Sequence, residues 1–507
     1  MIFYPINSIH REVAMETILE SLNARLSQIV YRTQDFVGRK KESGIVHKML
    51  EEAWAKTLLT PLLILYGVHG IGKSWLIEHL GVLYAFSANR WRETGNASLS
   101  VVVKADTYSE PGGLLSIIIA IVKGLESGLG RAAVELGIDQ QLTRLAQVSP
   151  TNLSTLQVQD KFDELVDILG KLCDKRIVPV LLFDSAERLS KQMLDDLIDW
   201  LVKPLVLRPD ILFIFAARGR FELKDLKVHK RCLPCQLEPF TRDEIEEKIK
   251  TRGNGLLLEP VEDFSGGHPL TIEAVYECAR LITEQDRLPM SDVFERKTEE
   301  IAQVLDAAIV QNRFMQGLND EQQKLLEAVC ILRKFNPMSL KRFAARFVDE
   351  KYAQESTAFY LRVLGDLVDS KLVEWTRVAR AHVLDNVVRH MMSYNLKVRD
   401  PQGFRARHEE AAGMYGRMIT ESPAQGSLFI LERLYHLACL SDVSRAIIED
   451  EIDTIVQADK LDVDQVFNLK KEFCGDDKIP GDVELRQMLG AEICHLLDER
   501  LDKLMGS

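Results

Sequence analysis

Gly67-Val-His-Gly-Ile-Gly-Lys-Ser74 sets three glycines ahead of an ammonium and a hydroxyl, with the spacing G-x-x-x-x-G-K-S. Glycine lets the backbone bend so that successive N–H groups face one point, an arrangement suited to phosphate oxygens. At this spacing Lys73 reaches the β- and γ-phosphates of a nucleotide, and the Ser74 hydroxyl holds Mg²⁺. The surroundings agree. Leu62–Tyr66 reads as a buried strand before the loop, and Trp75–Ala85 as a helix after it, whose positive end adds to the pull on an anion. Gly67, Gly70, Ile71, Gly72, Lys73, Ser74 and Trp75 are therefore the candidate nucleotide contacts, and a chance glycine-rich turn is the poorer reading.

Such a loop needs a second strand that ends in an acid to hold the metal. Val178-Pro-Val-Leu-Leu-Phe-Asp184 supplies one, at the rim where ligands bind in parallel sheets. Asp184 is the expected Mg²⁺ partner beside Ser74. Glu187, three residues on, either polarises an attacking water or caps the next helix as a solvated acid; the two readings weigh equally. The run Ile211–Ala217 ends in Arg218-Gly-Arg220. An arginine at that rim meets a γ-phosphate and separates triphosphate from diphosphate. A solvated surface arginine is the plain alternative, more so for Arg220 than for Arg218. Lys73, Asp184, Glu187 and Arg218 form the candidate catalytic set.

These groups need a scaffold. The runs Leu62–Tyr66, Leu99–Val103, Val178–Phe183 and Ile211–Ala216 are apolar throughout and separated by helix-length stretches, which predicts parallel strands in a three-layer α/β sheet. Beyond Leu237 the pattern turns almost wholly helical, opening on the capping box Thr241-Arg-Asp-Glu244. The longest apolar stretches, Leu58–Val68 and Leu114–Val122, fall short of the ~20 residues of a membrane span, so no membrane association is expected. Without a secretion-like start, and with eight scattered cysteines, the expected location is the cytoplasm. Cys232-Leu-Pro-Cys235 has redox or metal spacing but no second pair, and reads as small apolar residues in a strand entering the core. The chain of 507 residues, 46% hydrophobic and 28% charged, suits about three domains of ~100–200 residues. Its net charge of −12 speaks against indiscriminate binding to nucleic acid or anionic lipid, and residues 441–507 carry 17 acids against 8 bases.

The order of motifs resembles the STAND class of signal-transduction NTPases, the AAA+-related group that includes NB-ARC and MalT-like switch proteins. Phe36-Val-Gly-Arg-Lys-Lys-Glu42 is similar to the segment that opens that module and lies against adenine, which adds Val37, Gly38 and Arg39 as contacts. Glu238–Glu244 resembles the entry to the helical lid, and Gly266-Gly-His-Pro-Leu270 the lid motif whose proline, here Pro269, packs on the base. The resemblance covers about residues 36–400. It implies an N-terminal helical extension (1–35), a P-loop domain (36–238), a lid (239–318), a winged helix (319–400) and a C-terminal helical, tetratricopeptide-like segment (401–507). Within the winged helix it implies helices at Glu321–Leu332, Ser339–Phe347 and Ser356–Ser370, with a wing at Leu372–Trp375 and Ala381–Leu384. Relatives place a histidine of this domain on the β-phosphate; here Leu384 holds that position, and His382, two residues earlier, either substitutes for it or is a solvated wing residue.

The resemblance further implies ATP/ADP and Mg²⁺ as ligands, slow hydrolysis, a switch between closed diphosphate and open triphosphate states, and self-association or a protein partner in the open form. Helix Thr357–Ser370 carries Arg362 against Asp366 and Asp369, from which nucleic acid is expected to be an unlikely partner. Two other readings stand beside the switch: a DNA-associated AAA+-like ATPase, and a nucleotide-binding scaffold without turnover.

Overall fold

A computed structural model of the chain describes residues 6–105, 113–148, 154–252, 257–376, 380–421, 426–440, 445–455, 461, 463–475 and 481–506. The chain divides into two compact units, Met1–Phe294 and Glu295–Ser507.

The first unit is built on five strands: β1 (Leu62–Tyr66), β2 (Ala97–Lys104), β3 (Ile177–Asp184), β4 (Leu212–Ala217) and β5 (Cys232–Gln236). Their order is β2-β3-β4-β1-β5, and every neighbouring pair is parallel. Strands that bury both faces need apolar residues at every position, and β3 and β4 are buried from end to end. One face, with Leu99, Val101, Leu181, Phe183, Phe213 and Phe215, packs on α4 (Gly113–Leu129) and α5 (Thr155–Asp174). The opposite face lies against α3 (Lys73–Leu83), so closely that a Cβ on Gly81 would stand 2.7 Å from Val102 Cγ2. These are the three layers expected.

Register then decides where the chemistry emerges. Tyr66 pairs with Ala217 and Phe183 with Phe215, so β1, β4 and β3 end nearly level and release Gly67, Arg218 and Asp184 at one rim. The strand β5 is an edge strand, which is where Pro234, lacking an N–H, is tolerated. Cys232 and Cys235 lie half-buried in it, at the sheet margin rather than in the core.

Before the sheet come α1 (Ile6–Ser27) and α2 (Lys40–Trp54); after it come α6 (Arg242–Arg252), α7 (Leu258–Ser265) and α8 (Pro269–Asp286). The expected capping box is present: the Thr241 N–H donates to Glu244 Oε2 at 2.9 Å, and the Glu244 N–H to Thr241 Oγ1 at 3.4 Å. On α1, Arg25 meets Glu277 of α8 at 2.9 Å.

In the second unit, α9 (Asp320–Val329), α10 (Pro337–Phe347) and α11 (Thr357–Asp369) each start where a short polar side chain caps free N–H groups: Asn319, Asn336 and Ser356. An antiparallel hairpin follows, β6 (Val373–Thr376) and β7 (Ala381–Leu384). The rest of the described chain is helical, including α12 (Asn386–Arg399), α13 (Pro401–Glu421) and α14 (Gly426–Ala438). No helix among the described residues is long and apolar enough to cross a membrane.

Candidate functional site

A cavity of about 360 Å³ opens at the rim just described. Its floor is the loop between β1 and α3. Gly67, Gly70 and Gly72 have φ of 154°, 83° and 100°, values that side chains rarely tolerate, so the sequence can fold this way only with glycines there. Gly70 is the most constrained: a Cβ would stand 2.7 Å from Leu270 Cβ and 2.8 Å from His268 Cε1. Lys73 is buried and donates to the carbonyls of Gly67 and Val68 at 2.7 and 2.9 Å. A phosphate oxygen competes for the same donors. Ser74 Oγ donates to Asp184 Oδ1 at 3.0 Å, across the intervening strand β4. Burial raises the Asp184 pKa, and the bond from Ser74 opposes that rise.

Whether these residues suit Mg²⁺ is a question of donor chemistry. A hydroxyl and a buried carboxylate side by side offer the hard oxygen donors that Mg²⁺ takes, and the cation's charge would oppose the rise that burial imposes on the carboxyl. The set fits.

The far wall carries the second half of the expected chemistry. Ser185 follows Asp184 in a left-handed conformation (φ 56°), which turns the chain sharply and brings Glu187 and Arg188 to the cavity on a single 3₁₀ turn. Glu187 is exposed, and its charge acts on the half-buried Arg218 guanidinium, whose pKa burial lowers. Arg220 is exposed and outside the cavity lining.

The near wall is apolar. Leu26, Ile29, Phe36, Val37, Trp75 and Pro269 line it, giving a slot of the kind that takes a flat ring. Arg39 stands at the N-terminus of α2 in a left-handed conformation (φ 60°). Its guanidinium donates to the carbonyl of Ile71, to Glu238 O at 2.6 Å and, more distantly, to Glu42 at 3.5 Å, and it lies 5.1 Å from the Phe240 ring. Burial lowers its pKa, and its Nε–H has no partner.

The segment Gly266–Leu270 docks on the loop itself. His268, fully buried, has Nε2 2.9 Å from the carbonyl of His69 and Nδ1 2.7 Å from Thr271 Oγ1, while the Leu270 N–H donates to Gly70 O at 3.3 Å.

The structure thus gathers Val37, Arg39, Gly70, Gly72, Lys73, Ser74, Trp75, Asp184, Glu187, Arg218 and Pro269 around one cavity, while the expected contacts Gly38, Gly67 and Ile71 do not line it. His382 belongs to the second unit, on β7, with its ring 4.8 Å from that of Trp375; burial lowers its pKa, and its Nδ1 is buried without a partner. Several lining residues were not anticipated. Lys248 Nζ is 2.8 Å from Glu273, 3.1 Å from Asp35 O and 4.9 Å from the centre of the Trp75 ring. In sequence both Lys248 and Glu273 look like solvated helix charges, and nothing local marks them as buried. His268 did carry a signal, its place inside Gly-Gly-His-Pro, which drew the proline into the reading and left the histidine out.

A parallel sheet of this order, with a phosphate loop after β1 and an acid ending β3, defines a P-loop NTPase fold of the AAA+ type. No family model and no curated protein sequence matches the chain. Solved structures similar to it include the Aeropyrum pernix ORC2 protein in its ADP form, at 13% identity over 75% of this chain and 97% of that one (TM-score 0.44). The Aeropyrum pernix ORC1 protein in complex with DNA matches at 16% identity over 73% and 94% (TM-score 0.37). Drosophila ORC bound to DNA matches at 15% over 75% and 92% (TM-score 0.36). At these identities the likeness concerns the fold alone. It nevertheless corrects one expectation. Two of these structures are complexes with DNA, which stands against the expectation that nucleic acid is an unlikely partner. Charge counted along one helix says little about a face: Arg362 on α11, and Lys371 and Arg380 just before β6 and β7, are all exposed.

Proposed function

We propose that the chain binds ATP and ADP with Mg²⁺ and cleaves ATP slowly. The observation that carries this reading is the Ser74–Asp184 contact at 3.0 Å beside the Lys73 ammonium, a metal-side pair and a phosphate cation at one rim. In this reading Lys73 exchanges its loop carbonyls for phosphate oxygens, and Arg218 meets the γ-phosphate. Glu187 holds the attacking water and takes its proton. Ser74 and Asp184 hold Mg²⁺, which neutralises charge on the phosphates when bound. The apolar slot of Phe36, Val37, Trp75 and Pro269 takes the base. Replacing Lys73 by alanine should weaken ATP and ADP binding at least ~100-fold, read by calorimetry; an affinity equal to wild type sinks the proposal.

What the nucleotide cycle drives has two readings. The first is association with duplex DNA, favoured by the exposed cations Arg362, Lys371 and Arg380 around α11 and the hairpin and by the DNA complexes among similar structures. The second is the STAND-type switch, which rests on the motif order from Phe36 to Pro269. Fluorescence anisotropy with a labelled duplex decides between them. Binding that falls steeply from 50 to 200 mM salt marks phosphate contacts and supports the first. Absence of binding at 50 mM salt removes it, and ATP-dependent self-association on a sizing column then supports the second.

A further inference from the structure

We infer that His268 is a positioning residue through which the lid helix α8 sets the orientation of the phosphate loop, so that closing the lid and gripping phosphate are one event. The inference rests on the nucleotide reading above and deepens it.

The carbonyl of His69 can only accept, so the ring nitrogen 2.9 Å from it, Nε2, carries the hydrogen. Complete burial presses the His268 pKa down to about 3, so the ring is neutral and its Nδ1 bears a lone pair. The Thr271 hydroxyl, 2.7 Å away, therefore donates to Nδ1. Thr271 fixes the tautomer, and the tautomer makes the ring a donor to the loop.

The consequence follows from the planarity of the peptide. No peptide bond here is cis, and in a trans peptide C=O and N–H point in opposite directions. Holding the His69 carbonyl toward the lid turns the Gly70 N–H of the same peptide the other way, toward the cradle. The guanidinium of Arg39 does the same to the Ile71 carbonyl and hence to the Gly72 N–H. Three successive peptide planes of the loop are gripped from outside, two from the start of α8 and one from the start of α2. The grip from the lid is close: Gly70 has no room for a Cβ against Leu270 and His268, and the Leu270 N–H bonds Gly70 O. Two arrangements that favour each other must do so reciprocally, so phosphate in the cradle holds α8 in place as firmly as α8 prepares the cradle. The base slot, by contrast, touches α8 through Pro269, and His268 does not line the cavity.

The test separates phosphate from base. Full-length wild type, His268→Leu and His268→Gln are compared for ADP and for adenosine, each displacing a fluorescent ADP analogue, with thermal melting of the ligand-free proteins alongside. Loss of one donor should weaken ADP about 10-fold in His268→Leu and leave adenosine within about 2-fold, because only the phosphates use the Gly70 N–H. Glutamine places an N–H at similar reach, so His268→Gln should recover most of the affinity. If His268→Leu melts out of the assay, Thr271→Val takes its place: the ring stays, the tautomer is released, and ADP should weaken about 3-fold. ADP affinity equal to wild type in the variant that folds overturns the inference, as do equal losses for ADP and adenosine. Wild type that takes up no ADP overturns the nucleotide reading itself, and the inference with it.

Discussion

Two buried arginines, one in each unit, have opposite surroundings. In the second unit Arg333 uses its donors on carboxylates: Nε and Nη2 reach Glu432 at 3.1 and 3.0 Å, and Nη1 reaches Asp482 at 2.7 Å, with the plane 4.3 Å from the Tyr435 ring. In the first unit Arg39 reaches mainly main-chain carbonyls, and its Nε–H is orphaned. The fields follow the partners: acids raise the Arg333 pKa against its burial, whereas burial outweighs the acids around Arg39 and lowers it. A cation closed by anions is a finished structural knot. A cation held mainly by carbonyls, with Glu42 at 3.5 Å as its carboxylate contact and its Nε–H left over, is less closed, and an anion beside the glycine loop would complete it. Lys73 also donates to two main-chain carbonyls, those of Gly67 and Val68 in the same loop.

The comparison breaks first at Arg333. Arg333→Met leaves buried Glu432 with Lys334 as its remaining cation and takes the ion pair from half-buried Asp482, and should cost the second unit about 3–5 kcal/mol in urea unfolding. Adding ADP should not restore it. Arg39→Met leaves two carbonyls without donors and should cost the first unit less, about 1–3 kcal/mol, while ADP affinity drops about 10-fold or more. Similar stability losses with ADP binding intact in both variants would erase the distinction.

Acid sharpens it. His408 and His436 are a buried pair in the second unit, with Nδ1 atoms 3.0 Å apart; burial, helped by the charge of Arg389, presses His408 to about 3 and His436 well below its ordinary value. His268 is the counterpart in the first unit. Each folded-state pKa lies below the unfolded value of about 6.5, so in that window the unfolded chain binds protons that the folded chain refuses. Stability is therefore full above about pH 6.5 and falls as the pH drops toward 3, by about 1.4 kcal/mol per pH unit for each proton. With His408, His436 and His382 lowered in the second unit against His268 and His79 in the first, the second unit should lose stability more steeply than the first between pH 6.5 and 5. Equal slopes in urea titrations across that range would contradict the assignment.

Much of the phosphate end of the site was legible in sequence because its signals are local. A glycine loop between a strand and a helix, an acid closing an apolar run, and a threonine three residues ahead of a glutamate are all short patterns whose physics needs no tertiary partner. The three helices and hairpin after Asn319 came from the family resemblance instead, and in the structure each of those helices opens on a capping side chain. What stayed hidden depends on long-range pairing. Strand order put Arg218 between Gly67 and Asp184. Arg39 and Ser185, neither of them glycine, adopt left-handed conformations that only their surroundings impose. Lys248 and Glu273 bury each other, although either alone looks solvated. Neither the net charge of −12 nor the acids of one helix reports how cations are arranged over a surface, which is what a DNA phosphate meets.

The smallest effect on stability is the most informative about chemistry. Glu187 is exposed on a one-turn helix, so Glu187→Gln should change unfolding free energy by no more than about 0.5 kcal/mol. If it is only a solvated acid, phosphate release from ATP will not notice the change either. If it holds the attacking water, glutamine keeps a hydrogen bond to that water but cannot take its proton, and release should fall about 100-fold with ADP affinity unchanged. The neighbour Arg218 supplies an internal control, because Glu187 lends its cation negative charge. Neutralising Glu187 leaves that guanidinium less compensated, so ATP should bind the variant as tightly as wild type or tighter while turning over more slowly. Equal, background release by wild type and variant would instead mark a nucleotide-binding scaffold, in which the cradle grips phosphate without cutting it.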